Sequence, residues 1–335
     1  MEASRFKLKN FNLQCGETLA EANLVYQTYG ELNSDKSNVI LYPTSYGAQH
    51  PDIEWLIKPE SVLDPSKYFI IIPNMFGNGL SSSPSNHKDC KLAESGFYFT
   101  HLDNIRAQKQ LLDFLDIEKL ALVYGWSMGA QQAYHWGTLY PEKVERIAAI
   151  CGTAKTTDHN KVFLQSLRTA LTADPTWNGT KFEAIPDRGF RAFARIYASW
   201  AASQAYYKQG IYYQFGYESL EDYLIRGWEA NYRKKDPLNY LAMIDTWLHC
   251  DVSANPTYQG DYSQALKSIK AETLVMPATT DLYFPPEDCK AEADLIPDAK
   301  YLPIPSIWGH RAGNPYQNHE DELFIKKAVK ELLDK

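Results

Sequence analysis

Apolar residues in this chain gather into short unbroken runs, separated by longer segments in which they recur at helical spacing. The runs fall at 38–42, 68–72, 120–124, 146–152, 272–277 and 300–304. The clearest, Tyr68-Phe69-Ile70-Ile71-Ile72, has no polar side to turn toward water and predicts a strand covered on both faces. Between the runs, residues 100–115 bring Leu102, Ile105, Leu111, Leu112 and Leu115 close to one helical stripe, and residues 130–140 and 321–335 also read as helices. Strands alternating with helices predict an α/β fold whose mostly parallel sheet is sandwiched by helices. Residues 6–30 instead alternate loosely between polar and apolar positions, which suggests an antiparallel start to the same sheet, and residues 81–99 read as a polar loop.

From 155 to 265 the rhythm changes. Strand-like runs disappear, and Tyr, Trp and Ala recur at helical spacing, as at 190–207 and 220–232. This predicts a helical cap inserted into a core made of 1–154 and 266–335, with the cap aromatics serving chiefly to pack helices together.

The stretch around 120–132 carries the candidate chemistry. An apolar strand runs into Gly125-Trp126-Ser127-Met128-Gly129 and then into a helix, the strand–turn–helix context in which G-x-S-x-G exposes a serine on a sharp, strained turn. Ser127 is the candidate nucleophile. A serine hydroxyl needs a base to take its proton and a carboxylate to orient that base. Asp281 stands just past one late strand and His310 just past the next, giving the order Ser, acid, His at strand ends. Asp288, Asp294, His319, His50 and His135 fit those places less well. The small-residue loop after the 38–42 strand makes the N–H of Ser45 or Tyr46 a candidate half of an oxyanion hole, the N–H of Met128 being the other half. Trp126, Trp200 and Arg311 are candidates for lining the substrate pocket; Arg311 is read first as a solvated charge or a salt bridge to the cap.

Composition narrows the partners. At 335 residues, 44% hydrophobic and 22% charged, the chain is an ordinary globular protein, and its net charge of −7 without a basic cluster argues against nucleic acid or an anionic membrane. The N-terminal residues lack the apolar core of a signal peptide and no apolar run is long enough to span a bilayer, so a cytoplasmic protein is expected. Five scattered cysteines predict neither disulfides nor a structural zinc site, and Cys151 reads as a small buried hydrophobe.

Several segments resemble the homoserine O-acetyltransferase family of α/β-hydrolase-fold proteins. They include Gly47 and His50 after the first parallel strand, Asn-x-x-Gly after the 68–72 strand and the D-x-x-x-A-Q-x-x-L-L helix from Asp103. The elbow Gly125-Trp126-Ser127-Met128-Gly129-Ala130-Gln131-Gln132 and the cap segment 218–251 are also similar. The resemblance implies an acyl-enzyme mechanism, no bound cofactor, and a homodimer joined through cap helices. It also implies that an Asp following the catalytic His, and an arginine in the cap, would hold an amino-acid acceptor. Here Arg311 stands after His310, and the cap arginine is replaced within Trp200-Ala201-Ala202-Ser203-Gln204. A site without those charged partners discriminates against a zwitterion. The expectation is therefore a serine carboxylesterase for short-chain, acetate-type esters with an aromatic-lined, uncharged pocket. The alternative is an O-acetyltransferase in which acetyl-CoA is a co-substrate. A binding protein on this fold would ordinarily lack a member of the triad, and all three are present.

Overall fold

The computed structural model describes residues 3–91 and 96–334. Met1 and Glu2, residues 92–95 of the polar 81–99 stretch and Lys335, the end of the helix expected at 321–335, lie outside the described residues. Eight strands form one sheet: β1 (Ser4–Asn12), β2 (Thr18–Tyr29), β3 (Val39–Leu41), β4 (Phe69–Pro73), β5 (Leu122–Trp126), β6 (Arg146–Ile150), β7 (Glu272–Met276) and β8 (Ala299–Tyr301). Their order is β1-β2-β4-β3-β5-β6-β7-β8. β1 and β2 pair antiparallel, as the alternating 6–30 pattern predicts, and every pair from β4 to β8 is parallel.

The unbroken apolar runs follow from burial on both faces. Successive strand residues point to opposite sides, so Val123, Ile147, Ala149 and Val275 enter one core, while Leu122, Tyr124, Ala148, Ile150 and Leu274 enter the other. Each such Val, Leu or Ile side chain contributes roughly 1.5–3 kcal/mol by leaving water. The run at 300–304 forms only a short strand because Pro303 has no N–H for the ladder; pairing resumes at an isolated bridge between Ala278 and Ile304.

Between β6 and β7 the chain forms helices Asp158–Thr172, Asp187–Ala201, Gln204–Lys208 and Pro237–Leu248, and a helical stretch across 220–232 that widens into π-turns at Tyr223–Glu229. The helical spacing read at 190–207 belongs to two helices, with a break at Ala202. There Ser203 Oγ accepts from Tyr206 N, capping a new helix, and donates to Ile307 O beside the loop of His310. Where the chain leaves the sheet and returns to it, the two segments pair: Thr156 N donates to Cys250 O, Val252 N to Ala154 O, and Lys155 Nζ lies 2.8 Å from Asp251 Oδ2. Among the described residues, no helix is long and apolar enough to cross a membrane.

Candidate active site

β5 delivers Ser127 to the carboxyl edge of the sheet, between strand and helix Met128–Leu139. Its backbone sits at φ +58°, ψ −126°, a conformation costly for a residue with a side chain. The cost is met by backbone anchors: Ser127 N donates to Ile150 O at 3.0 Å, and Ser127 O accepts from Ala130 N at 2.9 Å. Strand and helix approach so closely that a Cβ on Gly125 would lie 2.2 Å from Gly129 O, so no larger residue fits there.

Asp281 follows β7. Its Oδ1 accepts the N–H groups of Tyr283 at 2.8 Å and Phe284 at 3.2 Å, leaving Oδ2 to accept from His310 Nδ1 at 2.8 Å. Both side chains are buried. His310 sits in the 3₁₀ turn Gly309–Gly313 past β8, where Gly309 N donates to Thr280 Oγ1 and Ser306 Oγ donates to Asp321 Oδ2. The imidazole is boxed by Trp126, Tyr283 and Phe284, with ring centroids 5.0, 4.7 and 5.5 Å away. Trp126 Nε1 also donates to His310 O, tying the residue before Ser127 to the His310 loop. With Nδ1 engaged by the carboxylate, Nε2 is the nitrogen left for a reacting partner. Among the described residues, Ser127 Oγ makes no hydrogen bond with His310. Such contacts commonly tighten only when substrate is bound.

The remaining candidates take different places. The backbone N–H groups of Ser45, Tyr46 and Met128 are free of hydrogen bonds among the described residues. The Tyr46 ring stacks on Tyr197, centroids 5.6 Å apart, and its hydroxyl donates to Tyr240 O, so its side chain belongs to the cap–core junction. Trp200 packs on His159 and Phe163. Arg311, expected as a solvated charge or a salt bridge to the cap, is half-buried and hydrogen-bonded to neutral cap groups instead of ion-paired. Its Nη1 donates to the Tyr206 and Tyr223 hydroxyls at 3.1 Å each, its guanidinium lies over Trp308, Tyr206 and Phe215, and no carboxylate among the described residues pairs with it. Those two tyrosines lie about a hundred positions away in the chain, and no local pattern marks them. A cleft of about 640 Å³ is lined by Asp281, His159, Lys208 and Glu287 but not by Ser127, and so does not hold the nucleophile.

Cys151 also escaped a functional reading. It sits at φ +47° just past β6, and its Sγ, a His310 ring nitrogen and an Asp281 oxygen all lie within 4.8 Å of one another. Burial, then the Asp281 charge, push its thiol well above the usual range, so it offers a neutral S–H rather than the thiolate a metal needs.

The family described as the alpha/beta hydrolase fold matches residues 57–310. The chain belongs to that family. It is 39% identical to a probable esterase of Corynebacterium glutamicum, over 96% of this chain and 93% of the relative. It is 38% identical to an ethyl acetate hydrolase of Pseudomonas veronii, over 89% and 86%. The solved structure of the acetyl esterase MekB superposes with a TM-score of 0.95 at 34% identity, covering 100% of this chain and 97% of that one. Homoserine O-acetyltransferases match at 30% identity. The chain is thus an ester-hydrolysing member of the group that also holds those transferases.

Proposed function

We propose that this α/β-hydrolase cleaves short-chain esters of the acetate type through an acyl-enzyme on Ser127. As Ser127 Oγ bonds to the ester carbonyl carbon, His310 Nε2 takes the hydroxyl proton, and Asp281 steadies the resulting imidazolium. The oxyanion is met by Met128 N–H and by Ser45 or Tyr46 N–H. Collapse breaks the bond to the alkoxy oxygen, which leaves as alcohol with the proton from His310. Water then adds to the acyl carbon while His310 takes its proton; the acid departs and Ser127 regains its hydrogen.

The observation that carries the reading is the 2.8 Å contact between His310 Nδ1 and Asp281 Oδ2, at the ends of neighbouring strands beside a serine with elbow geometry. The acetate preference draws on the acetyl esterase and ethyl acetate hydrolase relatives. A cytoplasmic homodimer joined through cap helices belongs to the same reading. The test is acyl partitioning. Purified protein is given p-nitrophenyl acetate, with and without alcohols including homoserine, and separately acetyl-CoA. Steady hydrolysis that alcohols do not divert, with acetyl-CoA untouched and activity lost in Ser127→Ala, supports the esterase. Consumption of acetyl-CoA that waits for an acceptor overturns it in favour of a transferase.

A further inference from the structure

Two glutamines in the family-like segments, Gln108 and Gln132, take no part in the triad, yet both are fully buried. Trp136 Nε1 donates to Gln108 Oε1 at 2.8 Å, Gln108 Nε2 donates to Gln132 Oε1 at 2.7 Å, and Gln132 Nε2 donates to Thr44 O at 2.9 Å. The same Gln132 nitrogen lies 3.3 Å from Met128 O. The direction of this chain is forced from both ends, because an indole N–H can only donate and a backbone carbonyl can only accept. Neither amide can flip without setting two donors or two acceptors against each other inside the core.

The end of the chain matters most. Thr44 C=O and Ser45 N–H belong to one planar peptide, trans like every peptide bond among the described residues, so they point in opposite directions. Fixing the Thr44 oxygen therefore fixes the aim of the Ser45 N–H. Gln132 thus binds the carbonyl that shares a peptide with Ser45 N–H, while its contact with Met128 O falls on the peptide after the one that carries Met128 N–H. Thr44 has no slack elsewhere, since its N–H donates to Pro73 O and its Oγ1 accepts from Met75 N.

Resting on the acyl-enzyme reading above, we infer that Gln132, oriented by Gln108 and Trp136, is a positioning residue that aims the Ser45 N–H at the oxyanion, making Ser45 the second donor of the hole. A chain of aligned hydrogen bonds ending on the Thr44 carbonyl also polarises that peptide and strengthens its N–H as a donor. The effect is felt in the transition state, where the oxyanion exists, and hardly in substrate binding.

The experiment compares the full-length wild type with Ser127→Ala, Gln132→Met and Trp136→Phe. It measures p-nitrophenyl acetate kinetics, inhibition by a trifluoromethyl ketone that Ser127 converts to a tetrahedral oxyanion, and thermal unfolding. Loss of a whole oxyanion donor costs ~10²–10³ in kcat, so its misalignment in Gln132→Met should cost about tenfold to hundredfold, with KM within about twofold. The ketone should weaken by the same factor, and Trp136→Phe should show a smaller loss of the same kind. A purely structural role would lower the unfolding temperature without moving kcat and ketone affinity together. A folded Gln132→Met with both quantities within about twofold of wild type overturns the inference. If Gln132→Met fails to fold, Trp136→Phe decides by the same two quantities. Hydrolysis surviving in Ser127→Ala would instead overturn the acyl-enzyme reading.

Discussion

Glu292 offers a test of how burial acts on a charge outside the triad. It lies on helix Pro286–Ala293, and its carboxyl oxygens accept Ala154 N at 2.9 and 3.0 Å, while Tyr262 Oη lies 2.5 Å from Oε1. It thereby touches the chain where it leaves the sheet and again shortly before β7. Lys155, Asp288 and Lys161 share the cleft around it. Desolvation, reinforced by Asp288, raises its pKa from 4.5 to about 8, even though Tyr262 and the Ala154 N–H pull the other way. Below pH 4.5 the carboxyl is protonated both folded and unfolded, so folding has no charge to bury. As pH climbs from 4.5, the unfolded chain releases the proton and the folded chain keeps it, so stability falls until the folded group also ionises near pH 8. At ~1.4 kcal/mol for each tenfold change in the proton equilibrium, the ceiling on that loss is ~5 kcal/mol.

Glu292→Gln keeps an oxygen for Ala154 N–H and for the Tyr262 hydroxyl while removing the titration. In denaturant unfolding at pH 5, 7 and 9, the variant should be level with wild type or ~1 kcal/mol worse at pH 5, through imperfect hydrogen bonding. It should then gain on wild type by several kcal/mol by pH 9. A difference between the two that changes by less than ~1 kcal/mol over that range would refute the claim that burial holds the proton on Glu292.

Three further outcomes follow from close contacts. Gly129→Ala places a Cβ 2.9 Å from Pro43 O and pushes the loop of Ser45 off the elbow; kcat for p-nitrophenyl acetate should fall about tenfold or more. Unfolding stability should change far less, since alanine recovers up to ~1 kcal/mol of helix propensity. Burial lowers the pKa of His101 to about 3 and of His135 to about 4, so stability present above pH 6.5 should be lost as pH falls toward 4, with a shallower decline in His135→Gln, followed by unfolding across pH. Arg311→Met removes two hydrogen bonds to cap tyrosines and should lower unfolding stability by ~1–3 kcal/mol while kcat stays within about fivefold, measured on the same preparation.

The sheet was legible because a strand buried on both faces must be largely apolar, and five such runs mark β3 to β7, the sixth marking the half-buried edge strand β8. The loops carrying Ser127, Asp281 and His310 were legible for a related reason: a parallel sheet puts the carboxyl ends of its strands on one edge, so order along the chain becomes nearness in space. What escaped lies in contacts between distant segments. Nothing local shows that Arg311 meets Tyr206 and Tyr223, that the cap helix breaks at Ala202 to seat Ser203 on Ile307, or that Gln108 and Gln132 face each other. Hydrophobic period reports which side of an element is buried, whereas a polar side chain's partner is set by the packing of whole elements.

This division bears on hydrolysis against transfer. The elbow and the Asp281–His310 pair can pass an acyl group to water or to an alcohol with the same protons moving, so the choice lies in what stands beside His310. Here that neighbour is a cation of the core, hydrogen-bonded to cap tyrosines. Arg311 follows His310 directly, and with tyrosine hydroxyls as its hydrogen-bond acceptors its positive charge is uncompensated by any described carboxylate. An acceptor carrying an ammonium group would bring like charge toward it in a partly dry site, where repulsion is weakly screened. Water and simple neutral alcohols meet no such barrier, and water is present at far higher concentration than any alcohol. On the proposed reading, loss of the charged anchors that the family resemblance implies for an acceptor, and the inversion of one of them at Arg311, would leave the acyl-enzyme to hydrolysis without any change in the groups that form it.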